Sequence, residues 1–335
     1  MTYKTMKILI TGGAGYIGSI TNAILRQKGF ETVVFDNLCL GHKEAVGSTR
    51  LIVGDLRKKQ DIDTVFASEA FDAVIHFAAF SLAGESMEKP FEYYDNNLRG
   101  GLNLLEAMRL HGCRTIIFSS TSAVYGYPTN IPVTEEESIA PVSVYGSSKR
   151  MIEEMISWYG SIYGIRSVSL RYFNAAGALP DGSLGEAHTR ESHIIPIALD
   201  VAAGKRERFA VYGNDYETPD GTCIRDYIHV VDLAAAHIKS VEYLAKGNAS
   251  VVLNLGVGRG YSNLEVLNAV ERVTGKKVAL SLEPRRPGDP ARLWADNRKA
   301  KEVLGWEPKY PDLETIIETA WKWHTKYPNS YADRN

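Results

Sequence analysis

The chain has 335 residues, with 38 Lys and Arg against 40 Asp and Glu, and its formal net charge of −2 gives no electrostatic pull toward nucleic acid or an anionic membrane surface. Its three cysteines, Cys39, Cys113 and Cys223, lie far apart, are odd in number and lack metal-ligand spacing, so neither a disulfide framework nor a metal site is expected and a reduced, cytoplasmic setting follows. The length suffices for two domains, or for one large α/β domain with an appended lobe.

The first six residues, from Met1 to Met6, lead into a strand without an apolar h-region, so no signal peptide is expected. The uncharged stretch from Ile8 to Leu25 contains four glycines and several hydroxyl residues, which argues against a membrane span. Lys7-Ile-Leu-Ile-Thr11 has the continuous apolar, β-branched character of a buried strand. It runs into Gly12-Gly-Ala-Gly15-Tyr-Ile-Gly18, where Gly12 suits the tight turn, Gly15 a close approach to a pyrophosphate, and Gly18 close packing of helix on strand. An amphipathic helix is predicted from there to about Gly29, its first N–H groups facing an anion. The second strand, residues 32–35, delivers Asp36, whose carboxylate suits ribose hydroxyls and repels a 2′-phosphate, so NAD is expected rather than NADP.

Further strands are predicted at 50–53, 73–77, 115–118 and 167–171, alternating with helices, which implies a doubly wound parallel Rossmann sheet. Asp55, Leu56, Phe77, Ala78 and Ala79 fall at carboxyl ends of strands, where ligands of such sheets bind. One helix from Pro90 to about His111 carries Asn96 to the same edge. Tyr145-Gly-Ser-Ser-Lys149 opens a helix ended by Gly164, and the i to i+4 spacing puts both functional side chains on one face. Phenolate chemistry at neutral pH requires lowering the tyrosine pKa by about three units, on the order of 4 kcal/mol, to which Lys149 and a positive nicotinamide ring both contribute. Thr121, just past the preceding strand, is the hydroxyl best placed to share the reacting proton, with Ser122 as the neighbouring alternative. From about Ala175 proline and glycine become frequent and the alternation breaks down. The expected division is an NAD-binding domain over residues 1–174 and a smaller C-terminal substrate-binding lobe over 175–335, with short returns to the main sheet near 226–257.

Beyond these features, the blocks Gly84-Glu-Ser86, Tyr93-Tyr-Asp-Asn-Asn97, Leu170-Arg-Tyr-Phe-Asn174, Gly213-Asn-Asp-Tyr216 and Arg225-Asp-Tyr-Ile-His-Val230 occur in order. With the glycine turn, and from Lys7 to roughly Tyr327, the chain resembles the extended short-chain dehydrogenase/reductase family in its sugar-nucleotide 4-epimerase branch. The resemblance implies interconversion of UDP-glucose and UDP-galactose at C4 through a 4-keto sugar, with NAD retained throughout, in a homodimer. It completes the cofactor set with Tyr16, Ile17, Asn37, Ser119 and Tyr172. It also assigns substrate contacts to Thr121 and Tyr145, to Asn174, Arg225 and Arg286 near the diphosphate, to Asp289 on the uridine ribose, and to Phe209 and Tyr212 beside uracil.

Three positions depart from the family pattern. Ser81 replaces a lysine near the cofactor, His193 an asparagine beside the diphosphate, and Leu293 a bulky tyrosine against the sugar. The last leaves room near C2, so UDP-N-acetylglucosamine is an expected further substrate, and UDP-pentoses and UDP-uronic acids stay open. A 4,6-dehydratase would place an acidic pair after the hydroxyl where Ser122 and Ala123 stand, and a non-catalytic NAD sensor would be expected to have lost Tyr145, Lys149 or Thr121. No metal is expected: the histidines form no His-Glu-x-x-His pattern.

Overall fold

Apolar runs such as Ile8-Leu-Ile10 and Val33-Val-Phe35 are buried, as strands covered on both faces require. The computed structural model describes residues 6–286 and 288–334; Met1 to Thr5, on which the expectation about a signal peptide largely rests, lie outside the described residues. The elements run β1 (Lys7–Thr11), α1 (Tyr16–Gln27), β2 (Glu31–Asp36), β3 (Arg50–Val53), α2 (Lys59–Ser68), β4 (Ala73–His76), α3 (Ala83–Glu88), α4 (Pro90–Tyr94), α5 (Gly100–Leu110), β5 (Thr115–Ser119), α6 (Val144–Tyr163) and β6 (Arg166–Tyr172). They continue with β7 (Asn174–Ala176), α7 (Ile194–Ala202), β8 (Phe209–Tyr212), β9 (Ile224–Arg225), β10 (Tyr227–His229), α8 (Val230–Ala245), β11 (Val251–Leu255), β12 (Tyr261–Ser262), α9 (Asn263–Thr274), β13 (Leu280–Glu283), β14 (Arg292–Leu293), α10 (Arg298–Leu304) and α11 (Leu313–Lys326).

The main sheet has the order β3-β2-β1-β4-β5-β6-β11, with parallel pairing of β1 to both β2 and β4, β2 to β3, β4 to β5 and β5 to β6. Strand order reverses between β1 and β4, the switch point at which doubly wound sheets bind ligands. This is the Rossmann-type sheet expected from the sequence.

The described residues group into two compact units, one within 1–126, 139–171 and 234–253, the other within 127–138, 172–233 and 254–335. The first has its core in Leu9, Val33, Leu104, Met108, Phe118 and Ile152; the second in Ile195, Val211, Val266, Val270, Ile316 and Ile317. Within the expected returns near 226–257, β11 joins the main sheet, whereas β10 pairs with β7 in a separate two-stranded parallel sheet. The single helix expected from Pro90 is broken, because a π-helical turn over Asp95–Arg99 separates α4 from α5. Helix α1 begins at Tyr16, earlier than expected, so Gly18 lies inside its first turn.

Candidate active site

The glycine turn is built by backbone proximity. A Cβ on Gly12 would lie 2.5 Å from Ala78 N, at a φ of +74° that disfavours any other residue, and one on Gly18 would lie 2.2 Å from Gly12 O. Gly15 meets only Gly12 O, at 3.4 Å, so its outer side is open to a ligand. Asp36 ends β2 with Oδ2 accepting from Ala14 N (2.9 Å) and Oδ1 from Leu38 N (2.8 Å), so the carboxylate also fastens the turn to the strand. Each oxygen retains a lone pair for a hydroxyl donor. The cradle therefore fits a dinucleotide pyrophosphate and its adenosine ribose.

Around it lie the other expected cofactor residues of this unit. Tyr16 and Ile17 open α1. Asn37 Oδ1 accepts from Cys39 N at 3.1 Å, and Asp55 is held below its ordinary pKa, chiefly by hydrogen bonds from Arg57. Leu56 is buried, Phe77 and Ala78 donate their N–H groups to Thr11 O, Ala79 follows them after β4, and Ser81 is exposed. Asn96 donates to Asn97 Oδ1 (3.1 Å), and the buried Asn97 is the residue that ties elements together: it accepts from Phe80 N (2.9 Å) and donates to Ser148 Oγ on α6 (2.9 Å).

Ser143 caps α6 by accepting from Gly146 N, and Gly164 ends it at a φ of 73°. Ile152 and Ile156 bury one face, which directs Tyr145 and Lys149 to the carboxyl edge of the sheet. Tyr145 N donates to Ser86 Oγ (3.1 Å), and Tyr145 and Thr121 share a side-chain hydrogen bond. Thr121 Oγ1 also accepts from Ala123 N (3.1 Å), which leaves its proton for the tyrosine oxygen. Lys149 is 3% exposed and donates from Nζ to Ser119 O at 2.8 Å.

The electrostatics of the protein alone do not favour a phenolate. In the protein alone Tyr145 is pushed up to about 12 by burial, with Thr121 opposing, and Lys149 is pushed down to about 7 by burial, with Glu153 opposing. Phenolate character therefore needs the positive charge of a bound oxidised nicotinamide as well as Lys149.

Behind the hydroxyls sits a network that motif reading missed. Buried Glu153, one turn beyond Lys149, accepts from Ser120 Oγ (2.6 Å) and forms a two-point ion pair with Arg171 (2.9 and 2.7 Å), whose Nη1 donates to Tyr125 Oη (3.0 Å). The network pins the 120–125 segment against α6 and β6.

The second unit assembles the expected substrate residues from distant segments. Asn174 donates from Nδ2 to Asp226 O (2.9 Å), and Arg225 Nη2 reaches Asp289 Oδ1 at 3.3 Å. The Arg286 guanidinium lies 3.7 Å from the Tyr212 ring centroid, a cation–π contact, and β8, which carries Phe209 and Tyr212, pairs with β13. Leu293 is in register with Arg225 across β14 and β9, half-buried. Tyr172 falls in this unit. His193 precedes α7, its Nδ1 2.8 Å from Glu186 Oε1 and 2.9 Å from Glu191 Oε1; these carboxylates hold the imidazole well above its ordinary pKa, against the opposing effect of burial.

A doubly wound sheet with a glycine cradle and a Tyr-x-x-x-Lys helix beside a strand-end hydroxyl defines a dinucleotide-dependent enzyme of alcohol and carbonyl chemistry. The GDP-mannose 4,6 dehydratase family matches residues 9–319. A UDP-glucose 4-epimerase from Halalkalibacterium halodurans is 51% identical over 330 residues, 98% of this chain and 99% of that protein. Among solved structures, UDP-glucose 4-epimerase from Brucella ovis in complex with NAD superposes with a TM-score of 0.92 at 47% identity, covering 94% of this chain and 97% of that one. The enzyme from Bifidobacterium longum in complex with NAD+ and UDP gives 0.91 at 39% identity, covering 96% and 99%. The chain belongs to the UDP-glucose 4-epimerase family of extended short-chain dehydrogenases/reductases.

Proposed function

We propose that this protein is an NAD-dependent UDP-hexose 4-epimerase that interconverts UDP-galactose and UDP-glucose. The observation that carries this reading is the Thr121–Tyr145 hydrogen bond, with Lys149 one helical turn on and the glycine cradle in the same unit. Kinship at 51% identity over 98% of the chain supports it. Bound NAD supplies a hydride acceptor and donor at the sugar C4. Tyr145 takes the proton of the 4-hydroxyl as the alcohol becomes a ketone, and gives it back to that oxygen once the keto sugar has turned and its other face is reduced. Thr121 holds the same oxygen, and Lys149, fixed by Ser119 O, adds positive potential beneath the phenol. Asp36 accepts from the adenosine ribose.

In the substrate unit, Arg225 and Arg286 neutralise the diphosphate, Asn174 and the Nε2 of His193 contact it, Asp289 holds the uridine ribose, and Phe209 and Tyr212 flank uracil. Elimination of water would require an acid–base pair beside Thr121, and Ser122 and Ala123 supply none. Leu293, smaller than tyrosine, supports turnover of UDP-N-acetylglucosamine as well.

The reading includes a homodimer in a cytoplasmic setting. Leu102 and Leu110 on α5 and Met151, Trp158 and Ile162 on α6 are exposed apolar side chains of the kind a subunit interface covers. Among the described residues no helix is long and apolar enough to cross a membrane. The deciding experiment is proton NMR of UDP-galactose with purified protein and no added NAD, then with UDP-N-acetylglucosamine. The UDP-glucose anomeric signal is the expected result. No conversion even with NAD present would sink the hexose assignment in favour of UDP-pentoses or UDP-uronic acids.

A further inference from the structure

Between β7 and α7 the chain reads Glu186-x-His188-x-x-Glu191-x-His193, and the fold gathers all four side chains. One donor atom from each lies within 4.8 Å of the others. His188 Nδ1 is 3.1 Å from Glu186 Oε1 and 3.4 Å from Glu191 Oε2, and His193 Nδ1 is 2.8 Å from Glu186 Oε1 and 2.9 Å from Glu191 Oε1. A tetrahedral ion bonded at about 2.0–2.1 Å sets its donors roughly 3.3 Å apart. The four nitrogen–oxygen separations lie within about half an ångström of that spacing, with Glu191 entering through both its oxygens, and the remaining edges, up to 4.8 Å, would close as the four groups turn to one ion.

A second observation is independent of the spacing. The Glu186 side chain is 7% exposed, and its buried Oε1 has no donor aligned on it in hydrogen-bond geometry, although two ring nitrogens lie close by. Hydrogen-bonded partners point at each other, whereas ligands of one ion point at a shared centre. His193 Nδ1 and Glu191 Oε1 are in hydrogen-bond geometry at 2.9 Å, so it is Glu186 Oε1 that sits side by side with its neighbours, as ligands of one ion do. A buried carboxylate oxygen is costly unless a cation meets it; in the metal-free protein the imidazole nitrogens at 2.8 and 3.1 Å take that place, and a metal ion would take it from both at once.

We propose that Glu186, His188, Glu191 and His193 form a four-coordinate site for a divalent transition ion of the zinc type, serving as a structural clip on the segment that leads into α7. Two imidazole nitrogens and two carboxylate oxygens suit zinc, whereas magnesium and calcium take oxygen alone. Four protein ligands leave no open position, so the ion is structural. The Ser192 and His193 N–H groups donate to Glu191 Oε1 (2.7 and 2.8 Å), an outer shell that orients this ligand. Coordination through Nδ1 fixes the His193 ring with Nε2 directed away from the metal. The site does not depend on the proposed reaction.

The test is titration of metal-stripped full-length protein with Co2+, read by the visible d–d bands of four-coordinate cobalt, followed by displacement with Zn2+. One equivalent per chain is expected, with affinity lowered at least tenfold in His188→Ala and in Glu191→Gln, and with Zn2+ raising the Tm of the parent protein but not of the variants. Circular dichroism identifies any variant that fails to fold, in which case His188→Gln replaces it. Absence of four-coordinate bands, or equal affinity in a folded variant, would overturn the proposal whatever the epimerase assay shows.

Discussion

The two units place their functional residues by different means. In the first, Gly12, Asp36, Ser119 and Thr121 sit at or just beyond the ends of parallel strands, and the ladder that holds each strand also sets the position of its terminal side chain. In the second, strands are as short as two residues and the same task falls to side-chain pairs such as Arg225 with Asp289 and Arg286 with Tyr212. On the proposed reading, a frame of backbone hydrogen bonds holds the groups that do the chemistry, and side-chain contacts over short strands hold those that meet the substrate. Substitutions in the first unit should therefore reduce kcat, and those in the second should raise KM.

The largest expected effect is that of Tyr145→Phe, which should lower kcat by about 10³-fold with little change in KM, since general acid–base catalysis contributes typically 10²–10⁴-fold. A KM effect of similar size would erase the distinction. Next is Glu153→Ala, which strands the buried Arg171 guanidinium and should cost about 3–5 kcal/mol in chemical denaturation. A loss under 1 kcal/mol would mean that the 120–125 segment is held by its backbone alone.

Lys149 links pH to stability. An unfolded lysine titrates near 10.5 and this one near 7, so between those values the unfolded chain binds the extra proton and stability rises with pH, by about 1.4 kcal/mol per unit in mid-window. Glu153 weakens the effect. Lys149→Met should flatten this part of the curve from pH 7 to 10, and parallel curves would refute the burial account. The smallest effect is expected of Arg225→Ala, a KM raised roughly tenfold or more with kcat within a factor of about three, for loss of a charge-assisted contact worth about 1.5–3 kcal/mol.

What was legible in the sequence follows the same division. The glycine turn and the Tyr145 to Lys149 spacing are local, because strand, turn and helix periodicity place those residues without distant information. Glu153 with Arg171 was not legible, because an acid on a helix and an arginine on a strand become a pair only when α6 packs on β6. The pairing of β10 with β7 was misplaced because a three-residue apolar strand carries no mark of the sheet it joins. Glu186, His188 and Glu191 were passed over because their spacing matches no common metal motif, and only the turn they share brings them to one point.

The π-helical turn at Asp95–Arg99 has a consequence for insertions and deletions. Such a turn is a helix that has absorbed a surplus residue. Removing one residue from it would leave a smoother, more regular rod with its two ends still nearly in phase, because the wide turn holds the surplus residue within itself; the residues that move are those inside the turn. Asn97, now bridging Phe80 and Ser148, would face elsewhere. At this point the regular helix is the defective one, and the irregular count is what keeps the loop after β4 in step with α6.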